Sequence, residues 1–186
     1  MECISISHKT AESGEREKFY VPRKEAGDLL QRIRAVAGIE ECVLLSTCNR
    51  TEVYVQGEEN AFRSVEEVLA GISGSNSEQI RKLVRRYQGR KALRHLFRVV
   101  CGMESMVIGE DEILGQVRDA YRYAKETGYT GYELNSVFQA ALTCAKRVKT
   151  QTMISKTAVS VATLAVNEVI HLPAASKTVL LMGSSG

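Results

Sequence analysis

An α/β sandwich, continued by a run of helices and by the opening strand of a second domain, is the fold that the 186-residue sequence predicts. Three observations lead there. Before residue 57 there are short stretches with a two-residue hydrophobic period. From residue 90 onwards apolar residues recur at three- and four-residue intervals. Near the C-terminus an apolar run ends abruptly in a glycine turn. With 44% hydrophobic and 25% charged residues the composition is that of a globular protein, which excludes disordered and fibrous classes. At this length folding buries about 70% of the unfolded surface, so the core needs neither disulfide nor metal to hold it.

Glu2 to Ser7 sets Cys3 and the serines against Ile4 and Ile6, which predicts a short half-buried strand. From Pro22, the residues Ala26, Leu29, Leu30, Ile33, Val36 and Ala37 fall on one helical face, and Gly38 stands where a C-terminal cap belongs. Two strands follow, Cys42 to Ser46 and Thr51 to Gln56, joined by the tight connection Thr47-Cys48-Asn49-Arg50. A helix from Ala61 to Leu69, a loop from Gly71 to Ser77 and a helix from Glu78 to Tyr87 complete the first unit. Beyond Arg90 the pattern is helical throughout. Leu93, Leu96, Phe97, Val100 and Cys101 make one apolar stripe, and Ile113, Leu114, Val117, Ala120, Tyr121 and Ala124 make a second. Further helices cover Leu134 to Lys149 and Ala158 to Ile170. After Pro173, Lys177 to Met182 reads as a strand entering the turn Gly183-Ser184-Ser185-Gly186, the way a Rossmann-type dinucleotide-binding unit begins. The expected division is residues 1–150, a connecting helix over 151–175, and a truncated second domain over 176–186.

The N-terminal residues Met1 to His8 lack the basic start and apolar stretch of a secretory signal. The longest apolar runs fall far short of the ~20 residues that span a bilayer. We therefore expect a cytoplasmic chain without a membrane segment. Cys3, Cys42, Cys48, Cys101 and Cys144 are odd in number and widely spaced, with no CxxC pair and no zinc-ligand spacing, so reduced thiols and no metal are expected. Net charge is +3, but Arg81, Lys82, Arg85, Arg86, Arg90, Lys91, Arg94 and Arg98 lie in one window free of acids, so the rest of the chain is net negative.

Cys48 is the candidate nucleophile. The other cysteines fall in apolar patterns as packing residues do, whereas Cys48 sits in a polar turn beside Arg50, and a nearby guanidinium favours the thiolate. His95 is its candidate partner; it lies off the apolar stripe of its helix and is expected to face water or a site, with the solvated face as the default. The segment Met103 to Gln116 gathers Ser105, Glu110 and Gln116. Its acids Glu110, Asp111 and Glu112 suit a helix N-terminus. Gly115, just inside that helix, costs about 1 kcal/mol relative to alanine, which predicts a close approach there.

These pieces resemble the glutamyl-tRNA reductase family. The resemblance is carried by Ile-Ser-Ile-Ser-His-Lys-Thr at Ile4 to Thr10, Leu-Ser-Thr-Cys-Asn-Arg-Thr-Glu-Val-Tyr at Leu45 to Tyr54, the run from His95 through Ser105-Met-Val-Ile-Gly-Glu110, and Ile113-Leu-Gly-Gln-Val117. It implies that a cysteine thiolate attacks the ester between glutamate and its tRNA. Hydride from NADPH then reduces the thioester to glutamate 1-semialdehyde, at the start of tetrapyrrole synthesis. Carried over, Cys48 is the nucleophile and His95 handles the leaving group's proton. Thr47, Asn49 and Arg50 surround the glutamyl group, with Arg50 pairing a carboxylate. Ser105, Glu110, Asp111, Glu112 and Gln116 complete recognition, Glu110 pairing the α-ammonium group, and Gly183, Ser184, Ser185 and Gly186 contact the nucleotide. Implied partners are glutamyl-tRNA(Glu), the aminomutase that takes the product onward, and a second copy in a homodimer. The chain departs from the family at Glu112, where many relatives have Gln, and at the nucleotide turn, where relatives usually read Gly-Ala-Gly-Glu-Met and Ser185 replaces the second glycine. Only acylation is expected of this length of chain. A non-enzymatic tRNA-binding module using the Arg81 to Arg98 window, and a cysteine hydrolase or acyltransferase, are the alternatives.

Overall fold

The computed structural model describes residues 1–58, 62–154, 161–171 and 173. Strands β1 (Glu2–Ser7), β2 (Ile39–Thr47), β3 (Arg50–Gly57) and β4 (Arg85–Gln88) form one antiparallel sheet in the order β2-β3-β1-β4. Helices α2 (Ala26–Arg34) and α3 (Phe62–Ser73) pack on one face; α5 (Arg90–Val100), α6 (Glu112–Glu126) and α7 (Tyr132–Gln151) pack together on the other. The short helices α1 (Ser13–Glu17) and α4 (Ser77–Leu83) link strands to helices, and α8 (Val161–His171) follows α7. The sheet between two helical layers is the expected α/β sandwich.

Sheet alternation decides which chemistry faces which layer. Pairing sets Cys3 opposite Tyr54, Ile4 opposite Val53 and Ser5 opposite Glu52. Val53 and Ile4 thus share the α2 and α3 face with Cys42, whose thiol donates to Leu30 O at 3.8 Å. Tyr54 lies on the other face, edge-on to Phe138 of α7 at 5.4 Å, and Phe138 stacks on Tyr121 of α6 at 5.4 Å. Each such pair adds about 0.5–1.5 kcal/mol beyond its burial. The start of α7 is tied to β2 by Glu41, whose carboxylate accepts from the amides of Glu133 and Leu134 at 3.1 and 2.8 Å. A carboxylate there both satisfies orphan donors and opposes the helix dipole.

Several expectations change. β1 is buried along its whole length, not half-buried, because it is an interior strand covered on both faces. The segment predicted as one helix from Glu78 to Tyr87 breaks at Val84, whose ψ of 134° is extended, and Arg85 to Gln88 becomes β4. That strand has no apolar alternation to betray it; backbone pairing with β1 makes it, and its arginines suit an exposed sheet edge. α3 continues through Ser73, leaving only residues 74–76 of the predicted Gly71 to Ser77 loop, and Asn76 then caps α4 in a reciprocal box with Gln79. The helix predicted from Pro22 begins as a 3₁₀ turn at Arg23–Glu25 and ends at Arg34, with Gly38 taking a φ of 83°. The strand expected at Lys177 to Met182 lies outside the described residues, as does the start expected at Ala158 for the helix observed over Val161–His171. No helix among the described residues is long and apolar enough to cross a membrane.

Candidate active site

The β2–β3 hairpin turns in two residues, Cys48 and Asn49, since Thr47 pairs directly with Arg50. Thr47 makes so tight a turn possible. Its Oγ1 accepts from the amides of Asn49 and Arg50, both at 3.2 Å, and donates to Arg50 O at 3.4 Å. The side chain thus replaces backbone partners that a two-residue loop cannot supply. Two further anchors hold the tip: the His8 amide donates to Asn49 O at 3.0 Å, and Arg16 Nε donates to Cys48 O at 3.5 Å. The result is an exposed Cys48 on a fixed support, while Cys3, Cys42 and Cys101 are buried and Cys144 is half-buried. Burial pushes the Cys42 thiol up to about 12 and raises those of Cys3 and Cys101, in the last case together with neighbouring Cys144.

Opposite the hairpin, the connection from α5 to α6 is folded onto itself by two glycines in the left-handed region. Gly102 has φ 75° and Gly109 φ 85°, and the Gly109 amide donates to Gly102 O at 3.0 Å. A Cβ on Gly109 would stand 2.1 Å from Ile154 O, so no other residue fits. Lys149 of α7 fastens the far end, donating to Gly109 O, Glu110 O and the Asp111 carboxylate at 3.2, 2.9 and 2.7 Å.

Hairpin and connection enclose a narrow cleft. Thr47, Cys48, Asn49 and Arg50 line one side, and Ser105, Glu110, Glu112, Ile113 and Gln116 the other. Ser105 Oγ is buried there without a hydrogen-bond partner. A buried hydroxyl left unpaired carries a desolvation cost of about 1–3 kcal/mol, which a ligand group in the cleft would relieve.

Three expected features are placed differently. Asp111 is exposed, with its carboxylate on Lys149, and does not line the cleft. Gly115 meets nothing nearer than the Arg118 guanidinium at 3.9 Å, so no side chain or backbone among the described residues requires a glycine there. His95 does not face water: it is 6% exposed and stacks on Tyr87 with ring centroids 4.1 Å apart. The buried face of α5 is Ala92, His95, Leu96, Val99 and Val100, rotated from the predicted stripe because β4, absent from the prediction, supplies a surface that takes the imidazole. Gly183, Ser184, Ser185 and Gly186 lie outside the described residues.

The residue missed by sequence reasoning is Glu52. It is fully buried two positions along β3 from Arg50, and its carboxylate collects four donors. Ser5 Oγ (2.9 Å), Arg50 (3.0 Å) and His95 Nε2 (2.9 Å) reach Oε1, and Tyr54 OH (2.5 Å) reaches Oε2. Burial alone would push the Glu52 carboxyl up, but Arg50, His95 and Tyr54 outweigh it and bring it down to about 2. Because an ionised carboxylate only accepts, His95 Nε2 carries a hydrogen. Arg50 also donates to Glu104 O at 2.5 Å, so two of its five N–H groups are committed while it still lines the cleft. The visible signal was Arg50, Glu52 and Tyr54 at alternate positions of one strand, a polar row on a face that the topology buries. Cys3, Glu52 and His95 offer donor atoms within 4.8 Å of one another, the spacing of a metal set. The set does not fit a cation: Glu52 is saturated by its four donors, and burial beside Glu52 holds the Cys3 thiol protonated.

An α/β domain whose two-stranded hairpin presents an exposed thiol, faced by two carboxylates, an amide and an unpaired hydroxyl on a second segment, is the class that fold and site define. Residues 4–152 match the family described as glutamyl-tRNAGlu reductase, N-terminal domain, and the chain belongs to the glutamyl-tRNA reductase family. It is 42% identical over 164 residues to a glutamyl-tRNA reductase of Desulforudis audaxviator, covering 88% of this chain and 37% of that protein. It is 39% identical over 188 residues to one of Akkermansia muciniphila, covering 99% of this chain and 55% of that protein. The solved structure of glutamyl-tRNA reductase from Methanopyrus kandleri superposes with a TM-score of 0.72 at 34% identity, covering 90% of this chain and 39% of that one. The chain thus spans roughly two-fifths to just over half the length of these relatives.

Proposed function

We propose that this chain carries the acyl-transfer half of glutamyl-tRNA reduction. Cys48 Sγ attacks the carbonyl carbon of the glutamyl ester, forming an S–C bond. The bond from that carbon to the terminal ribose oxygen breaks, and the thiol's proton leaves on that oxygen, releasing the tRNA and a glutamyl thioester. The observation that carries this reading is the convergence in one cleft of exposed Cys48, the unpaired buried hydroxyl of Ser105, and Glu110 and Gln116. Glu110 pairs the α-ammonium group, and Ser105, Asn49 and Gln116 hydrogen-bond the glutamyl moiety. Glu112 at the cleft rim accepts hydrogen bonds as the family's amide does. Arg50 binds the side-chain carboxylate with its uncommitted N–H groups, held in place by Glu52 and the Glu104 carbonyl.

His95 acts in this reading as a positioning residue: it holds Glu52, which holds Arg50. The activity of the whole protein would be NADPH-dependent reduction of glutamyl-tRNA(Glu) to glutamate 1-semialdehyde, feeding tetrapyrrole synthesis. NADPH supplies the hydride when bound, and the family's nucleotide turn corresponds to Gly183 to Gly186 in the second domain. A cytoplasmic homodimer that hands its product to an aminomutase is part of the same proposal.

The test is incubation with glutamate-labelled glutamyl-tRNA followed by intact mass and peptide mapping. Label bound through a hydroxylamine-sensitive bond at Cys48, absent from Cys48→Ala, is the expected result. Label retained by Cys48→Ala overturns the assignment.

A further inference from the structure

If Cys48 receives its acyl group from a tRNA, the phosphates next to the reacting end must leave the cleft in some direction, and the charge distribution selects one. We infer that Arg90, Arg94 and Arg98 of α5, continued by Lys9 and Arg16 at the hairpin, form a cationic track that binds the acceptor-end phosphates. The inference rests on the acyl-transfer reading above and adds to it the placement of the nucleic acid.

Arg90, Arg94 and Arg98 are four residues apart, so they stand on one ridge of α5 at steps of about 6 Å. The opposite side of the helix is the buried face of Ala92, His95, Leu96 and Val99. Arg90, Lys91 and Arg94 have no acidic group within ion-pair distance among the described residues. The C-terminal end of the ridge abuts the cleft. Arg98 and Lys9 both pair with the Glu104 carboxylate, and the carbonyl of that same Glu104 accepts from Arg50. Arg16 stands beyond them, donating to Cys48 O. Among the described residues Glu104 is the one acid that forms an ion pair with any of these five cations; Lys9 and Arg98 hold its carboxyl below the usual range even though burial opposes ionisation.

Packing does not explain this arrangement. Like charges four apart on a helix repel, by about 0.2–0.5 kcal/mol per pair, and Arg90 and Lys91 sit in the first turn, where the helix dipole disfavours cations. A polyanion lying along the ridge would offset these costs directly. α6, by contrast, carries Glu112, Asp119 and Glu126 against Arg118, Arg122 and Lys125, with Asp119 paired to both arginines, and so offers no excess of positive charge.

The test measures transfer of glutamate to Cys48 from glutamyl-tRNA and from 2′(3′)-glutamyl adenosine, which has the ester but no phosphate, between about 50 and 200 mM salt. The R90E/R94E pair is expected to slow transfer from glutamyl-tRNA about tenfold or more and to flatten its salt dependence by about 0.7–0.9 log units for each phosphate that is no longer neutralised. The glutamine pair R90Q/R94Q, which removes charge without adding repulsion, should show the same flattening. R32E/R63E, an equal double reversal on α2 and α3 across the sheet, controls for net charge. Equal slowing with both substrates in R90E/R94E and R90Q/R94Q, or equal slowing of tRNA transfer by R32E/R63E, overturns the track. If the unaltered chain accepts glutamate from neither substrate, the acyl-transfer reading itself fails and the track goes with it.

Discussion

His95 of α5 and Glu52 of β3 are 43 residues apart in sequence, and the imidazole Nε2 lies 2.9 Å from the carboxylate Oε1 in a fully buried setting. This contact joins a helix to the sheet directly beneath the hairpin that presents Cys48. Through Glu52 it reaches Arg50, and through Arg50 the cleft.

Glu52→Gln removes the charge that Arg50 needs. Breaking one side of a buried pair costs about 3–5 kcal/mol, because the other charge stays buried without compensation. We expect a loss of that size in urea denaturation, together with loss of acyl transfer. Stability within about 0.5 kcal/mol of the parent chain would show that the ion pair is inert.

Acid sensitivity follows from the same group. The Glu52 carboxyl is brought to about 2 in the folded chain against an ordinary 4.5, so below pH 4.5 the unfolded state binds the extra proton. Its contribution is complete above about pH 4.5 and is lost progressively as pH falls towards about 2. His8 adds a second acid-sensitive contribution. Burial first, then Arg50, Lys9 and Arg16, lower its pKa below the ordinary 6.5, so its share is complete above 6.5 and is lost as pH falls below that. Denaturation midpoints from about pH 7 down should decline in two stages. Glu52→Gln should shrink the lower stage, to which Glu104 also contributes, and leave the upper.

Thr47→Ala strips the hairpin of the oxygen that accepts two amides. Leaving those donors unpaired costs about 1–3 kcal/mol, and the Cys48 tip becomes mobile. Acyl transfer should fall while alkylation of the exposed thiol by iodoacetamide continues. Thr47→Ser keeps the oxygen and should restore both stability and transfer; failure of serine to rescue would mean that the threonine methyl, not the hydroxyl, shapes the turn.

Lys149→Met releases the connection that carries Glu110. Three hydrogen bonds disappear at once, two of them to backbone carbonyls, so amide exchange over residues 102–111 should quicken. The expected kinetic signature is a KM for glutamyl-tRNA raised severalfold with a smaller change in kcat. Lys149→Arg, which retains donors, should be intermediate; unchanged exchange in Lys149→Met would remove the lysine from this role.

The elements with a strong period were legible in the sequence. β1, β2, β3 and the helices α5 to α7 fall within a few residues of expectation, whereas the connection at Cys48, expected over the four residues Thr47 to Arg50, shortens to two because Thr47 and Arg50 themselves pair. β4 was not legible, since Arg85-Arg86-Tyr87-Gln88 has no hydrophobic pattern and exists through its pairing with β1. His95 was misjudged for a related reason: a helix's buried arc is set by everything it packs on, and β4 was missing from that reckoning. Glu52 occupies a polar position of an alternating strand, a pattern that by itself suits a solvated face. Only the topology, which places helices on both faces of the sheet, turns it into a buried ion. The cleft residues Thr47 to Arg50, Ser105, Glu110, Glu112 and Gln116 were identified by motif, and it is the fold that brings the two segments together.

The two margins of the sheet are closed by different means. Along β2, the Cys42 amide donates to Tyr129 O, so another part of the chain already occupies that border. Along β4 the border is short and carries Arg85 and Arg86, the latter paired to Glu66. A second copy pairing along β4 would crowd the Arg85 and Arg86 side chains of both molecules onto one four-residue edge. The cations that make the surface locally basic thus also work against lengthening of the sheet by strands from neighbouring molecules.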